Sequence, residues 1–152
     1  MSVQTSYTTE HAVAYAGMIA DTQLKNVVSR KNESNSNVYE FGTIAVPGME
    51  DDSFQNVQPG SLAIDFIGII LKDNFQIFVP NNNVGVQPQT IANIVTNGVV
   101  WVKVPVTVTA GQPCYMITDG NTFNGPFSNI ADVSNVLITG CKFLTNTSAN
   151  GL

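Results

Sequence analysis

Residues able to carry acid–base, nucleophilic or metal chemistry are few in this chain and poorly spaced for it. The single histidine, His11, follows the polar, Thr/Ser-rich stretch Met1–Glu10 and reads as a solvated surface imidazole. With no second histidine, neither a Ser-His-Asp triad nor a Cys-His pair can be built on a folded scaffold. No Gly-x-Ser-x-Gly, phosphate-cradling glycine loop or His-Glu-x-x-His occurs. Among the carboxylates, Asp51 and Asp52 are adjacent and would point to opposite faces of a strand. Asp65, between Ile64 and Phe66, is the one acid inside an apolar run. It is either a proton carrier or a surface partner of Lys72 or Lys103, and the second role is expected.

Metal and thiol chemistry fare no better. Glu50-Asp51-Asp52-Ser53 supplies oxygens but lacks the ligand spacing and turn glycine of a calcium loop. Cys114 and Cys141 are too far apart in sequence for a metal knuckle and too few for a disulfide framework, so two partly buried free thiols are expected. From Asn74 up to Asp119 the only charged side chain is Lys103. No catalytic residue, metal site or cofactor is therefore expected. Trp101, with Tyr115, Phe123 and Phe127, leaves one alternative from another class, a carbohydrate-binding surface on a β-sandwich.

The composition points toward assembly. The 152 residues carry 43% hydrophobic but only 11% charged side chains, against about 25% in a typical soluble domain. Lys and Glu are depleted from interfaces because desolvating them is costly, so a surface this poor in charge suits contact with neighbours. Six Lys plus Arg against eleven Asp plus Glu, a net charge of −5, leave no cationic footprint for nucleic acid. An apolar run of about 18 residues, the length needed for a helical membrane span, is absent. No secretory leader is expected from the polar start.

The elements that must position these residues read as short strands. Ala12, Tyr15, Ala16 and Ile19 have helical spacing, but Gly17, Asp21-Thr22 and Val27-Val28 interrupt it, so residues 1–33 are expected to form an extended N-terminal arm. Residues 34–152 are expected to form a single β domain. Strands are expected at Val38–Val46, Leu62–Leu71, Phe75–Val79, Ile91–Val95, Cys114–Thr118 and Val136–Leu144. The strongest alternation is Gly98–Thr109, with Val100, Val102, Val104, Val106 and Val108 on one face; Pro105 places it at an edge or a bulge. The fold class is all-β, an antiparallel β-sandwich or jelly-roll-like barrel.

Several segments, in order, resemble one family. Ala14-Tyr15-Ala16-Gly17-Met18-Ile19-Ala20-Asp21, Ser29-Arg30 and Glu40-Phe41-Gly42-Thr43-Ile44-Ala45-Val46 open the series. Phe66-Ile67-Gly68-Ile69, Gly98-Val99-Val100-Trp101-Val102 and Val108–Tyr115 continue it, and Gly140–Thr145 and Asn150-Gly151-Leu152 close it. Together they resemble the structural cement proteins that decorate heads of tailed bacteriophages. The resemblance implies a non-enzymatic virion protein, made in the host cytoplasm, on the outer surface of the capsid. It would bind the major capsid protein, tie capsomers together and associate as a homodimer or homotrimer. On that reading Tyr15, Met18, Ile19 and Leu24 are apolar anchors of the arm, Lys25 and Arg30 pair with acidic capsid groups, and Trp101 lies at an oligomer contact.

Overall fold

A computed structural model describes residues 14–21, 24–72, 85–119 and 126–152. His11, the expected strand Phe75–Val79 and Phe123 lie outside the described residues. Among the described residues there are eight strands: β1 (Asn26–Asn32), β2 (Ile44–Pro47), β3 (Ser53–Asn56), β4 (Gly68–Ile70), β5 (Ile91–Asn97), β6 (Pro113–Ile117), β7 (Phe127–Ser128) and β8 (Asn135–Lys142). The first five close into a barrel in the order β1-β3-β2-β4-β5, and the last three form a sheet in the order β7-β6-β8. The all-β class holds. The pairing is antiparallel throughout except for β1 with β3, which run parallel at Lys31–Ser53 and Asn32–Phe54.

Two apolar cores follow from the alternation of side chains along β2. Ala45 points into the barrel with Phe54, Ile70, Ala92 and Ile94, and Tyr39 meets Phe54 there at 5.8 Å between ring centroids. Ile44 and Val46 point the other way and pack with Met116, Phe127 and Ile138 of the three-stranded sheet. A strand buried on both faces has no polar positions to alternate, and the sequence Ile-Ala-Val accordingly has none. Gly68 lets β4 lie close to β5: a Cβ there would collide with the Val95 carbonyl oxygen.

The expected strand Val38–Val46 begins only at Ile44, and three further expectations change. The barrel begins at Asn26, so β1 belongs to the β domain and the segment outside the sheets ends before it. β1 hides from a periodicity reading because the alternate residues Val28, Arg30 and Asn32 are its less exposed ones, and only the first is apolar. Asn32 is fully buried and satisfied: its amide donates to the carbonyls of Asn37, Val86 and Gln87, and its Oδ1 accepts from Ser34 N–H at 2.9 Å.

Leu62–Leu71 is not one core strand. Ala63–Asp65 is a 3-10 turn, Leu62 and Ile64 are 61% and 87% exposed, and only Gly68–Ile70 joins the ladder. The Asp65 carboxylate accepts the Leu62 N–H at 2.7 Å, which closes the turn and gives that acid its structural role.

Gly98–Thr109 is extended but belongs to neither sheet. Its inward face is as expected, with Val104 and Val108 buried and Val102 and Val106 packed on the same core. Its partners are residues 17–20 and 147–151 instead of a strand. Val100 bridges Ile19, Val108 bridges Thr147, and Val104 exchanges backbone bonds with Gly151 and Asn150. Pro105, which has no N–H, falls between those two attachments.

Candidate functional site

Residues 14–21 turn at Ala16-Gly17 and are fastened to the β domain. Gly17 N–H donates to Trp101 O at 2.8 Å, Trp101 N–H to Met18 O at 2.8 Å, and Ala20 N–H to Val99 O at 2.8 Å. Lys72 N–H donates to Gly17 O at 3.0 Å, so the segment is held from two sides. Gly17 has φ +82° and Gly42 φ +77°. The two backbones touch here: a Cβ on Gly42 would lie 2.7 Å from Gly17 N, and one on Gly17 2.8 Å from Lys72 N. Only glycine accepts both the left-handed conformation and the contact. The signal in the sequence was the Gly17 that broke the helical spacing.

This clip decides which side chains are presented. Tyr15 is 43% exposed, and the Lys72 ammonium sits 4.0 Å from its ring centroid, a cation–π contact that orients the phenol side chain. Met18 and Ile19 are half-buried against the body. Leu24 is 98% exposed, and Lys25 beside it is exposed too. Arg30 lies on β1 and faces Asp52 at 3.7 Å, while Lys31 binds Glu50 at 3.1 Å; Arg30 Nε is buried without a partner. Tyr15, Leu24 and Lys25 are each exposed, whereas Arg30 is engaged within the domain.

The loop those cations meet is ordered by Glu33. Its Oε2 accepts from Met49 N–H at 2.6 Å, Ser53 hydroxyl at 2.9 Å and Glu50 N–H at 3.4 Å. Burial pushes the Glu33 carboxyl up, but these hydrogen bonds and the Lys31 charge outweigh it and hold the group below its ordinary value of 4.5. The acidic stretch is a structured turn with Asp52 at φ 55°, not a free tip.

A second exposed apolar group was missed. Leu62 and Ile64 stand on the 3-10 turn, which lies against β8, where Leu137 is 45% exposed. Between the barrel and the three-stranded sheet runs a cavity of about 370 Å³, lined among others by Phe66, Trp101, Cys114, Ile138 and Cys141. Trp101 is half-buried there. Among the described residues, no three His, Cys, Asp or Glu side chains are grouped to hold a metal ion.

Comparison with known proteins agrees with this architecture. A chain in "The capsid of Myoviridae Phage XM1" has a similar fold, with a TM-score of 0.60 over 99% of this chain and 94% of that chain at 16% identity. Among curated proteins no sequence matches. The family model described as "Structural cement protein (E217 gp24/Pam3 gp6)" matches residues 3–152. With the match running through the clip, the barrel and the three-stranded sheet, the chain belongs to the phage structural cement protein family.

Proposed function

We propose that this cement protein acts from the outer surface of the capsid, binding the major capsid protein and holding neighbouring capsomers together without catalysing a reaction. The observation that carries this reading is the family match over residues 3–152. The surface supports it. Large apolar side chains stand exposed at Leu24, Leu62 and Ile64 in a chain with only 11% charged residues. Its net charge of −5 favours protein over phosphate as the partner.

The contact set is narrower than the sequence suggested. Tyr15, Leu24 and Lys25 make the first contact with capsid, Met18 and Ile19 brace them from behind, and Arg30 steadies the 50–53 turn. Leu62, Ile64 and Leu137 form the second contact. Two contacts on one domain span a seam between capsomers. A homodimer or homotrimer, with Trp101 close to the contact between copies, multiplies that effect.

The mechanism is thermodynamic linkage. A protein that binds the assembled shell but not loose subunits stabilises the shell according to its free concentration relative to Kd. Once one contact has formed, the second becomes intramolecular, so individually weak contacts suffice. The test is to add purified protein to heads lacking it and to follow co-sedimentation and heat-induced release of DNA. Wild-type protein is expected to bind and to delay release, with Leu24→Asp and Ile64→Asp each weakening attachment. Heads equally heat-resistant with and without bound protein would refute the reading.

A further inference from the structure

Cys114 and Cys141 are both free, the first buried and the second half-buried. They lie on neighbouring antiparallel strands, β6 and β8. The register sets Pro113 opposite Lys142 and then shifts before Tyr115, which faces Leu137. Cys114 follows Pro113 and Cys141 precedes Lys142, so each cysteine adjoins one member of that pair. Gly140 creates the shift with φ +81°, and a Cβ there would meet nothing within 4 Å, so its glycine serves backbone conformation alone. Both cysteines line one cavity and pack in one apolar cluster.

Neighbouring Cys141 and burial together push the Cys114 thiol up, and Cys114 in turn draws the Cys141 thiol down. Directly opposed residues in an antiparallel ladder have Cα atoms about 4.5–5.5 Å apart. A disulfide requires about 4.4–6.8 Å, so the strand spacing at the adjoining Pro113–Lys142 pair is within its reach.

We propose that Cys114 and Cys141 form a cross-strand modification site that takes small aliphatic disulfides and closes to an internal disulfide between β6 and β8. The Cys141 thiolate attacks one sulfur of the small disulfide, forming a mixed disulfide and expelling one small thiolate. Cys114 then loses its proton to that thiolate and attacks the Cys141 sulfur, releasing the second small thiol. The protein loses two hydrogens and two electrons, and the small disulfide gains both. In a reducing compartment the pair stays open, and in an oxidising one it closes. That timing rests on the proposed role in the virion, whereas the chemistry rests only on the strands.

The experiment incubates the folded full chain with oxidised glutathione and counts thiols after unfolding. Loss of both thiols is expected, with a peptide pair linked through Cys114 and Cys141 and full recovery on reduction. Cys114→Ala is expected to stop at a stable glutathione adduct on Cys141, and Cys141→Ser to leave Cys114 unmodified while folded. Wild-type protein that keeps both thiols, stops at the Cys141 adduct, or cross-links between chains would overturn the proposal. Because none of these readouts involves heads, failure here is separable from failure of the cement reading.

Discussion

Gly17→Ala should release the N-terminal segment while leaving the barrel intact. A left-handed conformation costs an L-residue about 1–2 kcal/mol. The new Cβ would also lie 2.8 Å from Lys72 N and 2.9 Å from Phe41 Cβ. Neither is a flexible tip, so a further cost of about 1–3 kcal/mol follows. The opposing term is the clip, made of the backbone bonds among Gly17, Lys72, Trp101, Met18, Ala20 and Val99. At about 0.5–1.5 kcal/mol for each bond, these contribute on the order of 4 kcal/mol. The substitution therefore cancels most of what holds the segment down. Amide hydrogen exchange reads this directly: protection at Ala20, Lys72 and Trp101 should fall at least about 30-fold, equivalent to about 2 kcal/mol. Protection at Phe54 and Ile94, inside the barrel, should hold. Attachment to heads should weaken in parallel, since Tyr15 and Leu24 lose their fixed positions. Unchanged exchange at the clip, or an equal loss everywhere, would show that the two glycines are not a latch. Gly42→Ala, whose Cβ would press on the same segment, should give the same pattern.

Asn32→Ala removes a fully buried amide. The Val86 and Gln87 carbonyls keep other donors, Tyr39 and Thr90, so the loss should be about 2–3 kcal/mol in chemical denaturation, not the sum of every bond. Glu33→Gln should destabilise at pH 7 by on the order of 1 kcal/mol once solvent screening is allowed for. Because folding lowers the Glu33 pKa, its contribution is complete above the ordinary value of 4.5 and vanishes as pH falls through the depressed one. The wild-type and variant denaturation curves should therefore converge in acid; a gap that persists there would contradict the assignment. Leu24→Asp, at a site 98% exposed, should leave stability within about 0.5 kcal/mol by the same assay while impairing attachment.

How much of this was legible depends on where the polar residues fell. β5, β6 and β8 came through because Ile91–Asn97, Pro113–Ile117 and Asn135–Lys142 carry strand-forming side chains bounded by turn residues. β1 did not, because Arg30 and Asn32 sit on its more buried side and only tertiary partners reveal why. The alternation of valines through 100–108 correctly gave the buried face, but periodicity says nothing about whether a neighbouring strand exists to complete a ladder. Leu62–Leu71 was misjudged for the opposite reason: apolar residues followed one another, yet one local carboxylate bond bent the chain and left Ile64 outside. At the candidate site the residue types were visible and their engagement was not. Tyr15 and Leu24 are displayed, whereas Arg30 meets Asp52 in a turn that sequence spacing does not bring near.

The run from Gly98 to Thr109 holds residues 17–20 near its beginning and residues 147–151 toward its end. A pull on residues 17–20 loads these few bonds first and passes through Gly98, which follows β5 directly, and through Lys72 into the barrel wall.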